Sequence, residues 1–371
     1  MKTKRISQLA LVVLLLLSSS LFSLSQADQD GYKTETVAEG LPASWAMTFL
    51  PNSDILLTQR AGALRVVRDG ELIDADIAEV PGIHYAGQGG LLDVMLDQNF
   101  SENNKIYLSY SHGKKSSNTA RLVSAALVAT ENSYKLEDFK VLFEAKPSRK
   151  TSHHYAARIA QLDDGSLLFA VGDGYNYRED AQTLDNHFGK IIRINTDGTV
   201  PQDNPFIGTE GAAPEIYSLG HRNQQGLTVV KGVIYEHEHG PKGGDEVNII
   251  EPGKNYGWPI ATFGIDYNGA TITPYTEYEG MQSPLVNWTP SIAPSSLTEH
   301  NGFLYVSSLA ERSIRKLDIS GEAIKDQGKV FSKISERLRD IVSGPDGHLY
   351  VLTDGNEAKI IKIVEDKQNE L

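Results

Sequence analysis

Short β-rich runs separated by polar turns dominate the pattern of hydrophobic and polar positions along this chain. Each unit has a run of β-branched and aromatic residues, a turn containing Asn, Asp or Gly, and a second run that ends in small residues. Helical periodicity is weak throughout. The pattern therefore predicts an all-β fold built from six such units: Trp45 to Val67, Gly90 to Ser109, Arg158 to Gly172, Gly226 to Glu236, Ala293 to Leu317 and Arg339 to Leu352.

The spacing of the units favours a closed radial arrangement. Repeats of roughly 45 to 70 residues suit four-stranded blades around an axis, a design that leaves few sheet edges exposed. We therefore predict a six-bladed β-propeller, with a large β-sandwich as the alternative. A strand near Tyr32 to Val37 is expected to help close the ring. The extra residues between the third and fifth units predict long loops, which on a rigid scaffold commonly carry functional sites.

The first residues have the composition of an export signal. Basic residues near the start precede an apolar run over residues 9–17, and a small residue follows at Ala27. We predict that residues 1–27 are a cleaved signal peptide and that residues 28–371 form one propeller domain of a secreted or periplasmic protein. The apolar run is shorter than the roughly 20 residues that a membrane helix needs, so membrane insertion is not expected.

Composition narrows the possible functions further. The chain contains no cysteine, which excludes disulfides, thiolate metal ligands and a lipid anchor on an N-terminal cysteine. Its formal net charge is −13, and removal of the signal would make the mature chain more acidic still. Such a surface disfavours nucleic acid and anionic membranes as partners.

A pair of histidines precedes the third unit. His153 and His154 stand shortly before the predicted strand that begins near Arg158. Histidine is the side chain whose pKa lies nearest neutrality, and it can accept a proton from a substrate hydroxyl. A structural or solvated pair is the alternative interpretation.

The segment Tyr235 to Asn248 combines carboxylates, a Gly-Pro turn and an Asn within a short stretch. Oxygen ligands on a flexible loop suit calcium better than a transition metal. A polar hairpin without a metal is one alternative. Zinc is another, since His237 and His239 would point the same way on a strand, but the sequence places no third ligand beside them.

Two further segments put guanidinium groups next to predicted strands, namely Gly220 to Gly226 and the pair Arg337 and Arg339. Residues at i and i+2 share a face of an extended chain, so Arg337 and Arg339 together suit a planar ligand with several negative charges. A surface ion pair with Asp340 or Glu336 is equally compatible with the sequence.

In this order the segments resemble the soluble glucose and sorbosone dehydrogenase family, the aldose sugar dehydrogenases that depend on pyrroloquinoline quinone (PQQ). The resemblance extends from about Leu41 to about Ile363. It rests on seven motifs: Gly87-Gln-Gly-Gly-Leu-Leu-Asp93, His154 with Arg158, Gly220-His-Arg-Asn223, Glu238-His-Gly-Pro-Lys-Gly-Gly-Asp-Glu246, Asn255-Tyr-Gly-Trp-Pro259, Ile292-Ala-Pro-Ser-Ser296 and Arg337-Leu-Arg-Asp340.

The resemblance implies a six-bladed propeller that oxidises aldoses at C1 to the lactone and passes electrons to an external acceptor. His154 would take the proton of the anomeric hydroxyl while hydride passes to PQQ, with Arg222 beside it. Backbone carbonyls of Gly240 and Pro241 would hold the calcium ion (Ca2+) that polarises the quinone. The resemblance further assigns to the cofactor or substrate Gln88, Arg222, Asn223, Ser291, Arg337 and Arg339, and to a neighbouring structural calcium Asp245 and Glu246.

The sequence departs from the family pattern at two places. Ala156 and Ala157 replace a Gly-Gly pair, where glycine would allow positive φ or close approach of a flat ligand. Ala310 stands where family members often carry a Lys or Arg towards a cofactor carboxylate, and Arg312 is the nearest substitute. Both departures bear on how tightly the cofactor binds.

Two other functions stay open from the residues themselves. A calcium-dependent lactonase or esterase on a similar propeller would need several carboxylates and Asn side chains around one central ion, whereas the channel-facing candidates here are His154 and arginines. A non-catalytic propeller that binds carbohydrate or a protein partner is the third possibility, and Ala156, Ala157 and Ala310 are the residues that favour it.

Overall fold

The computed structural model describes residues 31–73, 77–321 and 323–365. The predicted signal peptide, residues 1–27, and its cleavage site lie outside these residues. Within them, no helix is both long and apolar enough to cross a membrane.

Six antiparallel sheets account for the described strands, and each contains one of the six predicted units. Strand β1 (Tyr32–Leu41) precedes the first sheet. The strands of blade 1 are β2 (Ser44–Phe49), β3 (Ile55–Gln59), β4 (Ala63–Arg68), β5 (Glu71–Leu72) and β6 (Ala78–Glu79). Those of blade 2 are β7 (Leu91–Leu96), β8 (Lys105–Lys114), β9 (Ser117–Ala129) and β10 (Tyr134–Glu144), with helix α1 (Phe100–Asn103) after β7.

The remaining sheets repeat the same order from the innermost strand outwards, except that blade 6 takes its outermost strand from the start of the chain. Blade 3 consists of β11 (Ala156–Gln161), β12 (Leu167–Val171), β13 (Lys190–Ile194) and β14 (Ile216–Leu219), with a 3₁₀ turn at Arg178–Gln182. Blade 4 consists of β15 (Gln224–Val230), β16 (Val233–Glu238), β17 (Asp245–Ile250) and β18 (Val286–Trp288). Blade 5 consists of β19 (Pro294–His300), β20 (Phe303–Ser308), β21 (Ile314–Asp318) and β22 (Lys325–Val330). Blade 6 begins with β23 (Leu338–Ser343), β24 (Leu349–Thr353) and β25 (Ala358–Glu365).

The ring is closed by the N-terminal strand, as the sequence predicted. Strand β1 pairs with β25, from Tyr32 opposite Glu365 to Leu41 opposite Ala358. Blade 6 is therefore built from both ends of the described chain. This closure, with neighbouring innermost strands in contact around the axis, makes the fold a six-bladed β-propeller and excludes the sandwich alternative.

Each innermost strand is irregular near its start. In all six blades the pairing register between the innermost strand and its neighbour shifts there, as between Ala156 and Ile159 in blade 3. A bulge of this kind bends the strand and redirects its side chains. The repeated shift therefore sets which residues face the central channel.

Arg158 lies at the centre of the ring and contacts all five other blades. Its guanidinium donates to the carboxylates of Asp93 (3.1 Å) and Asp340 (3.2 Å) and packs over the Trp45 ring at 4.2 Å. It also donates to the carbonyls of Gln225 and Ser295, both at 2.8 Å. One buried cation thus connects the innermost strands of the whole propeller.

Blades 3 and 4 each contain a long loop before their outermost strand. Residues 195–215 connect β13 to β14, and residues 251–285 connect β17 to β18. These are the insertions that the irregular unit spacing predicted. The second loop supplies Trp258, whose indole lies 6% exposed against the central part of blade 3.

Candidate active site

A cavity of about 330 Å³ opens where the innermost strands begin. Every blade contributes to it from the first residues of an innermost strand or from the loop before one. Its wall combines guanidinium groups, side-chain amides and apolar surface; the polar and aromatic members are Trp45, Arg60, Gln88, Tyr155, Asn223, Gln225, His239, Arg337 and Arg339.

A second cavity of about 280 Å³ lies beside the first. It is lined by His154, Asp173, Arg222, Pro241 and Trp258 among others. Consecutive residues divide between the two, since His154 and Arg222 face the second cavity while their neighbours face the first. The two spaces together form one binding region at this end of the channel.

His154 is fixed by a buried carboxylate. Its Nδ1 lies 2.7 Å from Oδ1 of Asp173, and the other carboxylate oxygen of Asp173 accepts the indole N–H of Trp258 at 2.8 Å. This contact assigns the proton to Nδ1 and leaves Nε2 with a lone pair. His154 is 4% exposed and Asp173 only 1%, so the pair is held in a single arrangement.

The pKa values of this pair favour a neutral imidazole beside an ionised carboxylate. Burial lowers the pKa of His154 to about 4, although the Asp173 carboxylate acts to raise it. Burial would raise the pKa of Asp173, but the charge and hydrogen bond of His154 and the charge of Arg222 lower it overall. His154 is therefore able to accept a proton at neutral pH.

The backbone around His154 is also constrained. Its N–H donates to Oε1 of Gln88 at 2.7 Å, and its carbonyl accepts Nη1 of Arg149 at 2.8 Å. His153, in contrast, is exposed. The two neighbouring histidines thus differ, with one ring inside the site and one outside.

The two alanines at which the sequence was expected to depart from the family pattern adopt the conformation that glycine favours. Ala156 has φ +58° and Ala157 has φ +76°, and both are buried. A left-handed backbone costs a non-glycine residue roughly 1–2 kcal/mol. The surrounding propeller holds this conformation, and Ala156 contributes its methyl group to the wall of the first cavity.

Arg337 and Arg339 both line the first cavity, as expected from their spacing. Their anionic neighbour is neither Asp340 nor Glu336, the two partners considered from sequence. Both guanidinium groups instead contact Asp354, at 3.1 Å and 2.8 Å. Two cations share one carboxylate, so this wall keeps an excess of positive charge.

Arg222 connects the two cavities to the Gly-Pro turn. Its Nη1 donates to the carbonyl of Gly240 at 2.7 Å and to that of His239 at 2.9 Å. Pro241 lines the second cavity beside His154. Asn223, the next residue after Arg222, faces the first cavity, so the predicted segment contributes to both.

Asp245 and Ser291 hold the turn rather than line a cavity. The carboxylate of Asp245 accepts the N–H of Gly240 at 3.0 Å through one oxygen. Its other oxygen accepts the Ser291 hydroxyl at 2.6 Å and the N–H groups of Ile292 and Ala293, both at 2.8 Å. These bonds tie the Gly240 turn to the start of blade 5.

Glu246 belongs to a buried acidic group that the sequence did not delimit. Its strand neighbour opposite is Glu238, and Glu236 and Asn248 form the next pair on the same face of the sheet, two positions along the ladder. Burial raises the pKa of Glu236 and of Glu246 well above the usual value, and the charge of Glu238 adds to the effect. Buried Oε1 of Glu236 and Oδ1 of Asn248 have no hydrogen-bond partner within the described residues.

The same acidic group includes the one set of metal-ligating side chains that cluster among residues 31–73, 77–321 and 323–365. His221, Glu236 and Glu238 each place a ligand atom within 4.8 Å of the other two. His237 and His239 are not part of it: His237 is fully buried, and Nε2 of His239 lies 2.7 Å from the carbonyl of Pro294. The geometry gives the zinc alternative no third ligand.

Several residues of this site have no signal in the local sequence. Asp173 follows a strand as one acidic residue among many, and Trp258 lies in a loop 85 positions further along the chain. A Gly-Asp-Gly turn after β12 is the weak sign that Asp173 offered. Sequence patterns describe one strand at a time, whereas the His154 environment joins three distant segments.

Known proteins are similar to this chain in sequence and in fold. Residues 41–362 match the family model described as glucose/sorbosone dehydrogenase. The aldose sugar dehydrogenase YliI of Escherichia coli (strain K12) is 36% identical over 367 residues, covering 95% of this chain and 97% of that protein. Quinoprotein glucose dehydrogenase B of Acinetobacter calcoaceticus is 27% identical over 428 residues, covering 90% and 88%. The PQQ-bound aldose sugar dehydrogenase structure from Streptomyces coelicolor superposes with a TM-score of 0.73 at 26% identity, covering 91% of this chain and 100% of that one.

Proposed function

The chain belongs to the glucose/sorbosone dehydrogenase family and is a sugar dehydrogenase, and on this premise we propose that it oxidises aldoses at C1 to lactones using PQQ and calcium. The observation that carries the proposal is the position of His154, a buried neutral imidazole next to a cavity whose wall is rich in guanidinium groups. A base and a polyanion-binding surface side by side are what hydride removal to an anionic quinone requires.

The first cavity suits PQQ by its donors and its charge. PQQ is flat and carries three carboxylates, and Arg337 and Arg339 present fork-shaped donors that match such groups. Among the residues that the structure describes, Asp354 is the one carboxylate that pairs with them, so an anion is favoured there. Asn223 and Gln88 add amide groups, and Trp45 adds an aromatic surface. When bound, PQQ would supply the hydride acceptor of the reaction.

Two features of this chain support a calcium site. Pro241 lines the second cavity and Gly240 precedes it in the turn, where its carbonyl accepts Arg222, and we assign both backbone carbonyls to the cofactor calcium. Buried Oε1 of Glu236 and Oδ1 of Asn248 have no hydrogen-bond partner among the described residues, and these oxygens, beside Glu238 and Glu246, support a cation site inside blade 4. We assign Glu246 to a structural calcium there, with Asp245 holding the turn between the two positions.

In the proposed reaction His154 accepts the proton of the anomeric hydroxyl on Nε2. Asp173 keeps the imidazole in the tautomer that leaves Nε2 free and stabilises the positive charge that develops on it. Arg222 lines the same cavity and holds a negatively polarised oxygen of the sugar or cofactor. Ser291, bound to Asp245, fixes the turn rather than contacting the ligand.

Reconstitution tests the proposal directly. Purified protein given PQQ and calcium is expected to reduce a dye acceptor when an aldose is added, and protein given neither is not. EDTA should abolish reconstitution and added calcium should restore it, because the available ligands are oxygens. Recovery with zinc but not with calcium would contradict the assignment of the metal, and aldose-independent dye reduction would contradict the activity.

The pH profile tests the role of His154. Because burial lowers its pKa to about 4, the imidazole stays neutral down to that pH, and a base must be neutral to act. We expect kcat/KM of the reconstituted enzyme to stay level from pH 8 to about pH 5 and to fall only below that. A fall centred near 6.5, the ordinary histidine value, would contradict the burial of the base.

We further propose that residues 1–27 direct the chain out of the cytoplasm and that a soluble external acceptor reoxidises the cofactor. The basic start and apolar run support export. Sequencing the N-terminus of the protein recovered from the extracytoplasmic fraction would test cleavage after Ala27.

A further inference from the structure

We propose that Arg60, on blade 1, is a cofactor-binding residue and the third cation of the first cavity, beside Arg337 and Arg339. The inference rests on the proposed function, since it concerns the carboxylates of PQQ.

The loop that carries Ala310 and Arg312 brings no charge to this cavity. Ala310 is exposed, and its N–H bonds to the carbonyl of Ile292. Arg312 is also exposed, and neither residue lines the cavity with Arg337 and Arg339. The residues that blade 5 contributes to the cavity wall, Ala293 and Leu309, are uncharged, so the cations there come from other blades.

Arg60 lines the cavity from the end of β3. Among the residues described, no carboxylate lies within ion-pair distance of it, so its charge is not offset as those of Arg337 and Arg339 are. It is close enough to Arg339 to act on it: burial lowers the pKa of Arg339, Asp354 opposes this, and Arg60 adds to the lowering. Like charges gathered at a cavity wall favour an anion between them.

The side chain of Arg60 is also held in place before any ligand binds. Its Nη2 and Nε donate to the carbonyl of Gly89 at 2.8 Å and 3.2 Å, and Nη2 also donates to Gly87 at 2.5 Å. Its guanidinium carbon lies 5.3 Å from the centre of the Tyr85 ring. Nη1 makes no hydrogen bond with the described residues and remains available to a ligand carboxylate.

These contacts also allow a purely structural role for Arg60, and the experiment must distinguish that role from binding of the cofactor. Gly87 and Gly89 flank Gln88, which accepts the N–H of His154, so Arg60 could act by holding this loop. Substitution by glutamine keeps an amide donor for the loop carbonyls and removes the charge. Substitution by lysine keeps the charge and removes the fork of donors.

The test is direct titration of PQQ into the calcium-loaded apoprotein, followed by calorimetry or by quenching of tryptophan fluorescence, since Trp45 lines the cavity. Loss of one charge-assisted contact is expected to weaken binding by about ten- to a hundred-fold in Arg60→Gln and Arg60→Ala. Arg60→Lys should lose clearly less than Arg60→Gln. Arg312→Ala, which removes an exposed arginine outside the cavity, should bind like the wild type.

The outcomes are distinct. Wild-type affinity in Arg60→Gln, or an equal loss in the glutamine and lysine variants, would overturn the inference in favour of a purely structural role. If Arg60→Ala fails to fold, as judged by circular dichroism, the comparison of PQQ affinity between Arg60→Gln and Arg60→Lys still distinguishes the two roles. Absence of PQQ binding by the wild type would instead overturn the proposed function, and this inference with it.

Discussion

Replacement of His154 by alanine is expected to lower kcat by about a hundred- to ten-thousand-fold, the contribution of a positioned general base, while PQQ binding stays largely intact. The reason is geometric: the His154 ring faces the second cavity with its Nδ1 held 2.7 Å from Asp173, whereas the cations for the cofactor lie around the first. The measurement is kcat at saturating aldose together with a PQQ titration of the same variant.

His153 is the matched control. It is adjacent in sequence but exposed, and its ring lies outside both cavities, so His153→Ala should cost little activity. Loss of activity in the His153 variant with retention in the His154 variant would mean that the neighbouring ring is the base. Full activity in both variants would refute the dehydrogenase mechanism proposed here and make the lactonase hypothesis the next to test.

Replacement of Arg158 by methionine is expected to lower the free energy of unfolding by about 3–5 kcal/mol, the cost of leaving buried charges without their partner. Asp93 and Asp340 both depend on this guanidinium and are 6% and 2% exposed. Burial already raises the pKa of Asp93 to about 6, even with Arg158 beside it. Methionine fills similar space but offers these carboxylates no cation.

Denaturant unfolding of the apoprotein checks this expectation, with Arg312→Ala as an exposed arginine whose loss should change stability by less than about 0.5 kcal/mol. If Arg158→Met changed stability as little, Arg158 would not be the connection between blades that its contacts indicate.

The contacts of Arg158 also bear on the lactonase alternative. Asp93 and Asp340, the carboxylates at the centre of the ring, bind Arg158 and are not free to hold a central metal ion.

The architecture was largely predictable from the chain. Strand formation depends on the alternation and β-propensity of neighbouring residues, which the sequence displays directly. Each of the six units therefore marked the inner strands of one blade, and the segment near Tyr32 was correctly expected to close the ring.

The sequence predicted which residues line the site, but not which of them contact one another. His154, Arg337 and Arg339 face the cavities as predicted, and Gln88 and Asn223 join them. The Ser291 hydroxyl donates to Asp245, a contact that the sequence did not indicate, and its assignment to the cofactor stays a prediction. The direction of a side chain after a turn depends on what the turn packs against, and the sequence alone does not contain that partner.

By itself, then, the sequence determined the six β-rich units and the kinds of chemistry available, because these depend on residues close together in the chain. Only the tertiary structure decided which groups meet. Arg158 with Asp340, Asp173 with Trp258, and Arg60 with Arg339 are pairs of residues that lie far apart in sequence. Such contacts depend on the register shift at the start of each innermost strand and on the radial packing of six sheets, and both arise only when the ring closes.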